Sequence, residues 1–265
     1  MKICIVQIGC LNEYRAVNET SAELVNLSKS KAKSWLELSI KNHKNYCDKH
    51  KYEYIFKEYD SLPTERNICW YKIKAILETM QDESIDWVFY CDLDTLIMND
   101  SFALEDIINL AEASGKDLIV PKQVSSVMKD PAGEGMLKSD EGINFGQFFI
   151  KNCKWAKIFL QKLWDFPIDN PHHIDLLNSK YYDNCVANIF WRLNIFETKN
   201  NSLAVYNSRF NSYYDNEGDQ TLDYSWDKRQ QTYYKNGQFK IHFAVLNFEE
   251  RQKIMPEFYE KSKGN

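Results

Sequence analysis

Residues 85–99 read IDWVFYCDLDTLIMN, and the fold turns on this stretch. Trp87, Val88, Phe89 and Tyr90 are aromatic or β-branched, with no polar residue between them. A short run of this kind predicts a strand buried on both faces, as in a parallel sheet. The run stops at Asp92-Leu93-Asp94. Side chains alternate along a strand, so the two carboxylates are expected on the same side of its end. Held that close they repel each other, and in apolar surroundings one tends to stay protonated. A divalent cation relieves the conflict. Mg²⁺ and Mn²⁺ take oxygen ligands, and their sites commonly combine one or two carboxylates with substrate phosphates. The plainer alternative is a polar turn that ends a strand. The buried run before the pair and the apolar Leu96-Ile97-Met98 after it favour the metal reading. In open α/β sheets ligands gather at the carboxyl ends of strands, where this pair falls.

Working outward, residues 2–8 read as a first strand by composition, and Gly9 follows without a G-x-G-x-x-G dinucleotide fingerprint. Residues 11–33 are polar and read as a loop with some helix. Trp35, Leu38, Asn42 and Tyr46 share one helical face up to about His50, and residues 52–56 make a second strand. Trp70, Ile73, Leu77 and Met80 mark an amphipathic helix before the acidic strand. After it, Leu104, Ile107, Ile108 and Ala111 predict a helix closed by Gly115, then a strand over 117–120 ended by Pro121. Residues 122–142, with Pro131, Gly133, Gly135 and Gly142, are expected to form a lid or a hairpin insertion. A strand over 143–150 and helices around 155–163 and 182–196 follow. Residues 199–238 show little periodicity, and 241–246 is expected as a last strand carrying His242. Strands alternating with helices predict one α/β domain, residues 1–248, with a mainly parallel central sheet, and a charged tail or short helix over 249–265.

The chain has 265 residues, enough for a sizeable core. Its formal net charge of −5 and the absence of a basic block argue against nucleic acid as a partner. The seven cysteines are scattered and include no C-x-x-C, which argues against a disulfide framework and a zinc site and fits a reducing compartment. No stretch reaches transmembrane length, and the start MKICIVQIGC lacks the layout of a signal peptide. The sequon Asn99-Asp100-Ser101 lies just past the acidic pair, where a glycan would crowd it. These readings together predict a cytoplasmic protein.

Four ordered blocks carry a resemblance to a known family. They are Asn42-His43-Lys44-Asn45-Tyr46 with His50-Lys51-Tyr52; Trp70-Tyr71-Lys72-Ile73; residues 87–99; and residues 142–152 (GINFGQFFIKN) followed by Trp155. A fifth match is Ile241-His242-Phe243-Ala244. The chain resembles the family 34 glycosyltransferases, which comprise galactosyl, mannosyl and xyloglucan xylosyl transferases. It departs from them in having Asp183-Asn184 where Asp-Gln is usual, and Val245-Leu246 where cysteine and glycine follow the histidine block. The resemblance implies a GT-A (Rossmann-like) nucleotide-sugar transferase fold. It implies a metal-dependent enzyme moving a hexose or pentose from a nucleotide sugar, a UDP-sugar before GDP-mannose, to an oligosaccharide or glycan acceptor, with retention of configuration.

The same resemblance implies roles for individual residues. Asp94 would hold Mn²⁺ or Mg²⁺, and Asp92 would hold it too or face the ribose or a metal-bound water. His242 would complete the metal site; otherwise it is a histidine at a strand end. Lys72 would touch the diphosphate; otherwise it is a solvated helix lysine. Asn144, Gly146 and Gln147 would line the sugar pocket; otherwise they form a β-bulge with polar flanks. Asp183, with Asn184 beside it, would orient the donor sugar; otherwise it favours a helix dipole. Tyr213, Tyr214, Trp226, Tyr233 and Tyr234 are either an acceptor platform or packing. Two other functions use parts of this pattern. Haloacid-dehalogenase phosphohydrolases also place D-x-D at a strand end, but they need Thr or Val four residues after the first Asp, where this chain has Leu96. A sugar-binding module without turnover would not need the acidic pair intact.

Overall fold

The computed structural model describes residues 1–9, 24–59, 68–122, 128–129, 136–137, 142–166, 182–215, 232–244 and 246–264. A six-stranded sheet is built from β1 (Ile3–Gly9), β2 (Glu53–Glu58), β3 (Trp87–Cys91), β5 (Leu118–Pro121), β8 (Gln147–Lys151) and β9 (Ser202–Val205), in the order β2-β1-β3-β8-β5-β9. The pairs β1–β2, β1–β3 and β5–β9 are parallel, and β8 alone runs against its neighbours. The sheet is thus mostly parallel, as expected, with one reversed strand in its middle.

Alternation along the strands divides the core in two. Cys4, Val6, Val88, Tyr90, Phe148 and Ile150 face α2 (Tyr71–Thr79), α4 (Lys154–Trp164) and α5 (Tyr182–Arg192). Ile3, Ile5, Trp87, Phe89 and Phe149 face α1 (Leu24–His50) and α3 (Glu105–Ala113). Every residue of β1 and β3 is buried, which is why β3 reads as an unbroken apolar run and β1 is interrupted only by Gln7. Phe89 and Phe149 are cross-strand partners, and their rings stack with centroids 3.9 Å apart.

A second, smaller sheet aligns β10 (Ser212–Tyr213), β11 (Lys240–His242) and β4 (Thr95–Ile97). Its register sets His242 opposite Thr95, and the Phe243 N–H donates to the carbonyl of Asp94 (2.8 Å). The last helix, α6 (Phe248–Ser262), starts with an Asn247–Glu250 capping box and packs Met255 and Tyr259 against Trp35, Leu96 and Ile241. Two short strands, β6 (Met128–Lys129) and β7 (Met136–Leu137), pair antiparallel. Most of the segment expected as a lid, and Trp226, lie outside the described residues.

Several boundaries differ from expectation, each for a local reason. The strand expected over 143–150 starts only at Gln147, because residues 144–146 bend around the Asn144 side chain, whose Oδ1 accepts from the Gly146 N–H (2.9 Å). The helix expected to reach 196 stops at Arg192, because Asn194 and Phe196 take left-handed backbone angles. The last strand stops at His242, and α1 starts at Leu24, inside the stretch expected as a loop with some helix. Residues 199–238 hold the edge strand β9, which periodicity does not reveal in four residues. Gly115 does close α3, with φ +64°.

Two asparagine side chains act as strand substitutes. Asn42 on α1 donates to the Ile97 carbonyl (2.9 Å) and accepts from the Ile97 N–H (2.7 Å), which fixes β4. Asn188 on α5 makes the same pair of bonds to Ile143, both 2.8 Å, and fixes the approach to β8. Each satisfies a buried peptide group that no strand reaches. Asn42→Ala leaves two buried backbone groups unpaired and is expected to cost about 1–3 kcal/mol in urea unfolding; a change within about 0.5 kcal/mol, the range of ordinary surface substitutions, would contradict the clamp.

Candidate functional site

Asp92 and Asp94 lie at the carboxyl end of β3, but not by strand alternation. The strand ends at Cys91, and a turn carries the pair from β3 into β4. The turn is tied by Thr95 Oγ1, which donates to the Asp92 carbonyl (2.7 Å), and by Gln7 Nε2, which donates to the same oxygen (3.2 Å). The outcome for the carboxylates is the expected one. Ligand atoms of Asp92, Asp94 and His242 all lie within 4.8 Å of one another.

The two carboxyls differ in surroundings. Burial, together with Asp94 nearby, pushes Asp92 up, although Lys72 opposes the shift, and its Oδ1 accepts from the Tyr90 hydroxyl (3.0 Å). Burial acts on Asp94 too but is overcome: Arg251 and His242 hold its carboxyl well below the usual carboxylate range. Arg251 Nη2 is 2.9 Å from Asp94 Oδ2, and His242 Nε2 is 3.1 Å from Asp94 Oδ1.

His242 is 4% exposed and held on both sides. Tyr213 stacks on its ring, with centroids 5.3 Å apart. Asn211 Nδ2 donates to Asn207 Oδ1 (3.0 Å), which turns Asn211 Oδ1 towards His242 Nδ1 (2.8 Å) and Gln147 Nε2. With Nδ1 engaged by the Asn211 oxygen, Nε2 is the ring nitrogen that faces the carboxylates and would be the one to offer a lone pair to a metal. A metal-ligating histidine is oriented in just this way by its other nitrogen. Two carboxylates and one such imidazole fit Mn²⁺, and less well Mg²⁺, which prefers oxygen throughout.

Lys72 is not a solvated helix lysine. It is 3% exposed, its Nζ is 3.0 Å from Asp183 Oδ2, and it donates to the Phe145 carbonyl (3.0 Å). Burial alone would lower its pKa, but Asp183 and Asp92 outweigh that and raise it, so the ammonium stays charged. Asp183 is equally buried, and burial pushes it up to about 6 against the pull of Lys72. It stands in the first turn of α5, facing the site rather than solvent. Asn184 accepts from the Phe145 N–H (2.6 Å), and Asn144 Nδ2 donates to the Tyr213 hydroxyl (2.6 Å). Gly146 is required by contact: a Cβ there would lie 2.7 Å from Asp92 Oδ2. Gln147 is fully buried, and its Oε1 has no partner among the described residues.

All nine residues singled out in the sequence therefore belong to one region around the acidic pair, linked by direct contacts or by shared partners. The tyrosines divide. Tyr213 belongs to the site, whereas Tyr214 and Tyr234 pack on Phe258 of α6. Sequence reasoning missed Asn211 and Arg251. Asn211 sits in an aperiodic Asn/Tyr-rich stretch with no local signal. Arg251 follows a legible capping box, but its reach to Asp94 depends on how α6 packs.

Known proteins share this architecture. Among curated relatives, the probable alpha-1,6-mannosyltransferase MNN10 of Saccharomyces cerevisiae is 30% identical over 144 residues, which is 48% of this chain and 36% of that protein. An alpha-1,2-galactosyltransferase of Schizosaccharomyces pombe is 24% identical over 151 residues, 50% of this chain and 40% of that one. The alignments take in less than half of either relative. Among solved structures, a glycosyltransferase involved in the glycosylation of the major capsid of PBCV-1 superposes with a TM-score of 0.62 at 12% identity, over 97% of this chain and 100% of that one. The galactosyltransferase LgtC, solved with donor and acceptor sugar analogs, gives 0.51 at 14% identity, over 98% and 95% of the two chains. At such identities the likeness is one of fold, and the fold is GT-A. The sequence profile of the galactosyl transferase GMA12/MNN10 family matches residues 16–253, nearly the whole chain. The chain belongs to that family.

Proposed function

We propose that the protein is a glycosyltransferase that moves a hexose or pentose from a nucleotide sugar to a glycan acceptor, with a divalent cation and with retention of configuration. The observation that carries this reading is the convergence of Asp92, Asp94 and His242 within 4.8 Å at the carboxyl end of β3 in a GT-A fold. Asp92, Asp94 and His242 would hold the cation, which supplies Lewis-acid stabilisation to the departing diphosphate. A UDP-sugar is the first candidate donor and GDP-mannose the second.

The chain's own residues account for the rest. Lys72 keeps its charge while buried, so it adds a fixed positive field at the site. Asn144, Gln147 and Asp183 offer hydrogen bonds to sugar hydroxyls, and Gly146 lets a ligand approach Asp92 closely. Gln147 Oε1 in particular is a buried acceptor that lacks a donor.

Retention needs either a covalent glycosyl-enzyme or attack from the face the nucleotide leaves. Asp183 is a poor nucleophile here, because its carboxylate is committed to Lys72. The Cys69 thiol, pushed up to about 12 by burial and by Asp183, stays protonated. We therefore favour same-face attack. The bond from the anomeric carbon to phosphate breaks, the bond to the acceptor oxygen forms, and the acceptor proton passes to the departing phosphate oxygen.

Four outcomes are expected. Asp94→Asn should fold normally yet lower turnover of a UDP-sugar by about a hundredfold or more, the scale on which losing one charge-stabilising group is felt; EDTA should silence the unaltered protein likewise. Full turnover in EDTA would reject the metal. The anomeric proton of the product, read by NMR, should report an α-linkage from an α-linked donor, and intact-mass spectrometry with donor alone should show no sugar adduct. A β-linked product would mean inversion, and an adduct on Asp183 would mean double displacement.

A further inference from the structure

Arg251 stands where a cation is locally unwelcome. It lies in the first turn of α6, the positive end of the helix dipole, beside the capping residues Asn247 and Glu250. It is nonetheless largely buried: its side chain is 14% exposed. The guanidinium is 5.6 Å from the centre of the Trp35 ring, Nε donates to the Phe243 carbonyl (3.2 Å), and Nη2 donates to the Ala244 carbonyl (3.4 Å). Those carbonyls belong to the two residues after His242. The same Nη2 is 2.9 Å from Asp94 Oδ2. One side chain therefore fastens the segment leaving His242 and takes one of the two carboxylate oxygens of Asp94.

The charges at the site make this placement consequential. Three carboxylates, Asp92, Asp94 and Asp183, face two permanent cations, Lys72 and Arg251. Lys72 is bound to Asp183 and acts on Asp92, whereas Arg251 is the cation paired directly with Asp94. With Oδ2 engaged, Asp94 presents only Oδ1 towards His242. A monocation at ion-pair distance from a ligand of a dication repels that dication. At an effective dielectric of about 20 such repulsion changes affinity by roughly tenfold or more.

We propose that Arg251 sets the metal affinity of this site, which rests on the metal reading given above. It holds Asp94 in place without metal and stands as a fixed positive charge beside the cation when metal enters. The metal alone then binds weakly. Tight occupancy requires a nucleoside diphosphate, whose negative charge offsets both the metal and Arg251. Metal and donor thus load together, and Arg251 is a positioning and affinity-setting residue, not one that touches the reacting atoms.

The test is Mn²⁺ binding by the full chain, followed by the EPR signal of free Mn²⁺, with no added nucleotide and then with UDP or GDP. The unaltered protein should bind Mn²⁺ weakly alone and at least tenfold more tightly with the matching nucleotide. Arg251→Met should bind Mn²⁺ alone at least tenfold more tightly than the unaltered protein, and its gain from nucleotide should shrink. Arg251→Lys keeps the charge and should stay near the unaltered protein in both respects. Arg251→Gln, which retains a donor for the Phe243 and Ala244 carbonyls, serves in place of the methionine variant should thermal melting show that one unfolded. A neutral variant that folds and binds Mn²⁺ no more tightly overturns the proposal, as does a lysine variant that behaves like methionine. In either case a site that binds Mn²⁺ leaves the metal reading standing. Failure of every form, the unaltered protein with nucleotide included, to bind Mn²⁺ removes the metal reading itself.

Discussion

The mutual repulsion of Asp92 and Asp94 is the constraint on which the rest of the site depends. Two carboxylates held within a few ångströms and half-removed from water cannot both stay ionised without compensation. The fold compensates from several directions. Arg251 and His242 bring Asp94 down, and burial leaves Asp92 up. Lys72 lies beneath the pair and is itself held charged by Asp183. A protein with no use for cations would hardly gather these groups at a strand end; apolar residues there would be as stable or more so. The arrangement suits the proposed ligand, which brings both a metal and negative charge.

The compensating groups come from distant parts of the chain. Lys72 is on α2, Asp183 on α5, His242 on β11 and Arg251 on α6. Their convergence rests on buried amide side chains rather than on the main sheet. Asn42 holds β4, Asn188 holds the segment leading to Gly146, and Asn211 orients His242 while contacting Gln147. Each bond of this kind is worth little alone, but a buried peptide group left unpaired is costly. The amides therefore fix positions within the site more than they add to stability. Lys240 is a different case: it is fully buried two residues before His242, its Nζ lies 4.9 Å from the centre of the Phe89 ring, and its polar contact is with the Cys91 thiol.

Much of this was legible in the sequence, for identifiable reasons. A run such as 87–91 is apolar because it is buried on both faces, and that cause is local, so composition reveals it. Helices α2, α3 and α4 announce themselves by one buried stripe each. The acidic pair was found because two carboxylates after such a run are chemically odd. Other features escaped because their causes are not local. The strand β8 looks like any buried strand, and nothing in its residues states that it runs antiparallel. The turn at residues 92–94 brings the carboxylates together through Thr95 and Gln7, where strand alternation had been expected to do so. Lys72 reads as solvated until Asp183, more than a hundred residues on, is seen beside it. Asn211 and Arg251 act only through partners that packing supplies.

The central claim is that one cation can be held at once by His242 and by the phosphates of a donor. Pulsed EPR of Mn²⁺ bound to the protein with UDP or GDP tests it most directly, because it reads the nuclei next to the metal. The account predicts nitrogen modulation from one imidazole together with phosphorus coupling from the nucleotide. The nitrogen signal should vanish in His242→Ala while the phosphorus coupling persists. Phosphorus coupling without any nitrogen signal in the unaltered protein would remove His242 from the metal, and Mn²⁺ showing neither would contradict the account as a whole.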